Sequence, residues 1–181
     1  MRISNCIPWA SALLAVSLTI GCSNQAKAPD VTDNVRQALD QAGLNDVKVS
    51  QNRDKGVVTL SGNVSSDDDK ARAESVAKSA AGNQVVADEI GVRPKGDEST
   101  AKKVESDLDS GIDKNLEAML VEHNLKSDVR YDVNNGVVTL KGDVPSQTKR
   151  DSVQKLAQQV PNVKQVVNEL EVKHQKATSN K

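Results

Sequence analysis

The chain has 181 residues, 36% of them hydrophobic, with no Phe, one Trp and one Tyr, and 24 Lys and Arg against 25 Asp and Glu for a formal charge of −1. A balanced charge and a near absence of rings exclude the basic, base-stacking surface that nucleic-acid binding requires. Cores without Phe must be assembled from Val, Leu, Ile and Ala, which bury less area per residue than rings do, so modest stability is expected.

The N-terminus reads as an export signal over residues 1–21, because Arg2 precedes a mostly apolar run from Ile7 to Ile20 and then Gly21 and Cys22. That run is 20 − 7 + 1 = 14 residues, shorter than the ~20 that a helix needs to cross a bilayer. Ile20-Gly21-Cys22 resembles the end of a bacterial lipoprotein signal, which implies that Cys22 is acylated and becomes the first mature residue. Thr19 stands where that pattern usually has Leu, so cleavage with an unmodified Cys22 is the alternative. Ser23, rather than Asp, after Cys22 implies sorting to the outer membrane of a Gram-negative cell. Cys6 leaves with the signal, and one remaining cysteine forms no intramolecular disulfide. Residues 22–30 are then a polar tether.

From residue 31 onward the chain is a duplication. Residues 56–64 read Gly-Val-Val-Thr-Leu-Ser-Gly-Asn-Val and residues 136–144 read Gly-Val-Val-Thr-Leu-Lys-Gly-Asp-Val, 80 residues later. Laid ungapped on 136–172, residues 56–92 match at 12 of 37 positions, so two small domains are expected, at 31–92 and 111–173.

In the first copy Val31, Val35, Ala38, Leu39 and Ala42 share one face at helical spacing, with Gly43 as a stop. A short alternating strand with Val47 and Val49 follows, and Asn52-Arg53-Asp54-Lys55-Gly56 turns it back. In the return strand Val58, Leu60 and Val64 share a covered face, Thr59 and Ser61 point to a partly wet one, and Gly62 marks a bulge or a close approach. Ser66 is a candidate N-cap for a second helix with Ala73, Val76, Ala77 and Ala80 inward. The domain closes with a strand from Val85 to Val92, reached by a helical crossover and so parallel to the return strand. Asp88, and Asn168 in the second copy, interrupt the apolar face of this strand at equivalent places.

Residues 93–110, with Pro94, Gly96 and dense charge, read as a linker with some helix toward its end. Ser110 and Asp113 have capping-box spacing and set a helix start near residue 111, with Ile112, Leu116, Met119 and Leu120 as its core face. Val129, Tyr131 and Val133 form the next strand, and Asn134-Asn135-Gly136 is the strongest hairpin signal in the chain, with Gly136 at positive φ where Gly56 ends a more forgiving loop. Val138, Leu140, Gly142 and Val144 repeat the covered face, and Ser146 opens a helix burying Val153, Leu156, Ala157 and Val160. A strand over Val163–Val172 and a disordered tail at 174–181 end the chain.

Helix, hairpin, helix and strand around Gly-Val-Val-x-Leu-x-Gly-x-Val resemble the BON domain, and two copies behind an export signal resemble the dual-BON proteins of bacterial envelopes. The resemblance implies an α+β fold of two tandem sandwiches, each a three-stranded mixed sheet with two helices on one face. It also implies a non-enzymatic, lipid-anchored module that binds phospholipid or outer-membrane proteins and supports outer-membrane integrity or stress resistance, with no cofactor. A soluble periplasmic osmotic-stress protein with chaperone-like activity is the alternative.

Other chemistry is thin. His123 and His174 are the only near-neutral bases, and neither sits in a nucleophile-base pattern. Asp67-Asp68-Asp69 lacks the Gly and distal Glu of a calcium loop and fits the first turn of a helix instead. Residues 30–92 carry 7 basic and 11 acidic side chains, whereas residues 111–173 carry 9 of each. Where the first copy opens its second helix with Asp67-Asp68-Asp69, the second has Gln147-Thr148-Lys149 followed by Arg150, so any contact with anionic headgroups is expected from the second domain at Lys149 and Arg150, a solvated face being the alternative reading of the pair.

Overall fold

A computed structural model describes residues 27–173. Its elements are α1 (Thr32–Gln41), β1 (Lys48–Asn52), β2 (Val57–Val64), α2 (Asp67–Ala81), β3 (Val85–Val92), α3 (Glu98–Glu122), β4 (Val129–Asn134), β5 (Val137–Val144), α4 (Gln147–Gln158), β6 (Gln165–Asn168) and β7 (Glu171–Val172). Each copy is helix, antiparallel hairpin, helix and a parallel closing strand, giving sheet orders β1-β2-β3 and β4-β5-β6, with β7 also on β5. This is the α+β tandem that the repeat implied. Val35, Leu39, Val58, Leu60, Ala73, Ala77 and Ile90 form the first core, and Ile112, Leu116, Leu120, Val138, Leu140, Val153 and Ala157 the second.

The glycines inside the return strands owe their place to a neighbouring backbone. A Cβ on Gly62 (φ +111°) would lie 2.5 Å from the Asp46 carbonyl oxygen, and one on Gly142 (φ +122°) would run into that of Asp128. At the turns the two copies are more alike than expected. Gly136 has φ +84°, and Gly56, read as the end of a forgiving loop, also sits at positive φ, +63°.

A further expectation is corrected. The second domain's helix does not begin near residue 111: α3 starts at Glu98 and runs 25 residues, taking in most of the linker. Ser110 is no cap, since its hydroxyl donates back to the Ser106 carbonyl within the helix. Glu105 and Asp109 hold the extension in place. Glu105 accepts the Val92 amide at 2.9 Å, and Asp109 accepts the Asn135 and Gly136 amides at 2.8 Å each, satisfying the hairpin turn from outside.

The outer sheet faces are partly wet, as expected, with Thr59, Ser61 and Thr139 half-buried and Lys141 exposed, but they are also partly covered. Val57 and Ala87 of the first sheet are buried with Val137 and Val167 of the second in one apolar cluster. The sheets therefore face one another, with a helical layer behind each.

Candidate functional site

Asp88 and Asn168, the polar interruptions of the closing strands, have equivalent jobs. Asp88 Oδ1 accepts the Ile90 amide at 3.1 Å, and Asn168 Oδ1 accepts the Leu170 amide at 3.2 Å, each side chain bonding its own backbone two residues on. A cation from the following position on the helix in front completes each arrangement. Lys70 Nζ donates to the Ile90 carbonyl at 2.5 Å and lies 3.8 Å from Asp88. Arg150 Nε and Nη2 donate to the carbonyls of Leu170 and Asn168 at 3.0 and 2.9 Å. Arg150 thus fastens α4 to the break between β6 and β7 and is not an uncommitted headgroup ligand.

Lys149 differs. Its amide is capped by Ser146 Oγ at 3.2 Å, and among the described residues its ammonium makes no ion pair or hydrogen bond. The structure therefore separates the two cations that sequence had grouped. Beside α4 a cleft of about 420 Å³ runs between the domains, lined by Asp54, Lys55, Arg150, Glu169 and Glu171 among others. Its carboxylates outnumber its cations, and Lys55 pairs with Glu171 across it, so the cleft itself is no anion receptor.

The domain junction is built from groups that meet reciprocally. Asn52 Nδ2 donates to Glu169 Oε1 at 3.2 Å, and Asn134 Nδ2 donates to Glu89 Oε2 at 3.1 Å, so each hairpin reaches a glutamate of the other domain, and the two glutamates are 80 residues apart. Gln165 works along the open edge of β3: its Oε1 accepts the Asp88 amide at 3.1 Å and its Nε2 donates to the Val86 carbonyl at 2.7 Å. One side chain thus imitates a paired strand and blunts an edge that would otherwise recruit another chain. Burial raises the pKa of Asp88, with Lys70 opposing, and burial also raises that of Glu89, with Asn134 opposing. Tyr131, whose hydroxyl donates to the Asp113 carbonyl, is pushed up to about 12 by burial.

The remaining candidates are quickly placed. Cys22 and His174 lie outside the described residues, and His123 follows the last turn of α3. Asp67, Asp68 and Asp69 occupy the first turn of α2, where Ser66 Oγ accepts the Asp69 amide and Asp69 pairs with Arg72. Among the described residues no three of His, Cys, Asp or Glu gather as a metal-holding group.

The N-terminal arm bears on attachment. Ala28 and Arg53 bond reciprocally, amide to carbonyl at 2.8 Å and Nε to carbonyl at 2.9 Å, while Gln51 and Gln84 both donate to the Pro29 carbonyl. Lys27 pairs with Asp54 at 3.2 Å. The arm is thereby fixed to the β1–β2 hairpin, five residues along the chain from Cys22.

A family model of the BON domain matches residues 28–94 and 100–174. The chain belongs to the BON domain family. Among curated relatives, an Anaplasma centrale protein described as "Uncharacterized protein in gshII 5'region" is 37% identical over 132 residues, 72% of this chain and 82% of that one. The "Osmotically-inducible protein Y" of Escherichia coli K12 is 32% identical over 146 residues, 79% of this chain and 71% of that one. Among solved structures, the C-terminal domain of CdsD, the structural protein of the Type III secretion system of Chlamydia trachomatis, covers 78% of this chain and 67% of its own at 14% identity and a TM-score of 0.33. The second matched BON segment starts within α3, upstream of the residue-111 start expected from the apolar pattern.

Proposed function

We propose that this protein is a non-enzymatic module of the bacterial envelope, anchored through acylated Cys22, that contacts anionic phospholipid or envelope proteins and serves under osmotic stress. The supporting observation is the arm: residues 27–29 are bonded to the β1–β2 hairpin, so an anchor at Cys22 holds both BON domains as one body within a few residues' reach of the surface. A bare cation near an anionic surface adds about 1 kcal/mol, and Lys149, in the first turn of α4, is a cation with no ion pair or side-chain hydrogen bond among the described residues. The similarity to an osmotically inducible protein supports the stress role.

Vesicle sedimentation of the full chain carrying Cys22→Ser tests the headgroup contact without the anchor. Binding to anionic vesicles should exceed binding to zwitterionic ones, fall with salt and be lost in Lys149→Glu. Binding that is indifferent to both salt and Lys149→Glu removes this contact from the proposal.

A further inference from the structure

Val85, Val104, Leu108 and Val121 are the large apolar side chains left exposed in the described chain, and three of the four lie on α3. The inward side of this helix is fixed by Ile112, Leu116 and Leu120 in the core and by Glu105 and Asp109 on backbone amides. A flank beside it repeats at alternating spacings of four and three: Val104, Leu108, Gly111, Asn115, Ala118. That is the spacing of a helix that packs on another helix. Gly111 is unexplained within its own domain. A helix interior is a costly place for glycine, and a Cβ there would meet nothing within 4 Å.

We propose that this face docks a second copy of the same chain, α3 against α3 and antiparallel. In the register that seats Leu108 over the partner's Gly111, Val104 meets the partner's Asn115. The same register sets Asp107 beside the partner's Lys114, and Lys114 beside the partner's Asp107. Among the described residues Asp107 and Lys114 have no ion pair within their own chain. The twofold axis then passes near residue 110, the midpoint of Glu98–Glu122, so the two helices overlap end to end. A parallel pairing gives neither charge an opposite partner. The bare space over Gly111 is the socket for the other copy's Leu108, which accounts for a glycine with no local purpose. A single helix pair buries less than the ~800 Å² per partner of a standard interface, so the dimer is a weak one. It is independent of the membrane reading.

The test uses the full chain, half of it ¹⁵N-labelled, treated with a zero-length carbodiimide that joins a carboxylate to an amine in contact. Within one helix Asp107 and Lys114 are about 10 Å apart along the axis, beyond such a reagent, so a peptide joining them with mixed isotopes reports the dimer. Sedimentation equilibrium supplies the second reading. Asp107→Lys and Lys114→Asp should each raise the dimer dissociation constant about fivefold or more, the double reversal should return it to within about twofold of wild type, and Gly111→Leu should weaken the dimer while leaving thermal stability intact. A chain that stays monomeric at every concentration overturns the proposal, as do single reversals without effect or a double reversal that fails to restore association. Loss of vesicle binding in Val104→Glu, with no dimer in wild type, would assign the face to a bilayer instead.

Discussion

Asp88 and Arg150 show how the duplicated site diverged residue by residue. At the polar interruption of the closing strand, copy one sets a buried carboxylate under Lys70 in an unbroken β3, and copy two a neutral amide under Arg150 where β6 gives way to β7. Burial holds the Asp88 pKa above its ordinary value. A carboxylate with a raised folded-state pKa contributes stability that is present below the unfolded value of about 3.9 and is lost as pH rises through the folded value. Asp88→Asn, which copies the second domain, should remove that pH dependence and leave stability at neutral pH unchanged or higher; urea unfolding at pH 4 and pH 7 checks it. Arg150→Ala strips two charge-assisted bonds from the Asn168 and Leu170 carbonyls and should cost about 2 kcal/mol by the same method. Gly62→Ala and Gly142→Ala each force a Cβ onto a carbonyl at positive φ and should cost about 2 kcal/mol or more. A loss under 1 kcal/mol at both would mean that the Asp46 and Asp128 segments yield easily.

Among elements, α3 is where sequence and structure part. Hairpins, caps and core faces were legible because each is a local pattern: Asn-Gly before a β-branched run, Ser66 and Ser146 before their helices, valines on alternate positions. The first half of α3 was not. Its inward stripe is Ala101, Glu105 and Asp109, and dense charge reads as solvated linker until the partners of those carboxylates are known. Those partners, the Val92 amide and the Asn135-Gly136 turn, are distant along the chain and leave no local signature. Asp109→Ala strands two half-buried turn amides and should destabilise the second domain by about 1–3 kcal/mol in chemical denaturation. A neutral result would return residues 98–111 to the role of a passive spacer.

At the scale of the whole molecule, the two domains are joined by more than a linker. A signal for this was present in the doubled valines of Gly-Val-Val, which break strict alternation and place Val57 and Val137 on the outer faces, where they meet Ala87 and Val167. Replacing Val167 with Asp buries an unpaired charge between the sheets and should split one cooperative unfolding transition into two, read by calorimetry. A single transition in this variant would mean that the domains do not depend on that contact. Two coupled domains, with the arm bonded to the first hairpin, place the whole chain at one surface only if the arm itself is anchored. The direct measurement is membrane fractionation of the native protein together with the intact mass of its N-terminal peptide. Wild type in the outer-membrane fraction with an acylated Cys22, and Cys22→Ser released to the soluble fraction, is the predicted result. Both proteins in the soluble fraction, with an N-terminal peptide of unmodified mass, would contradict it.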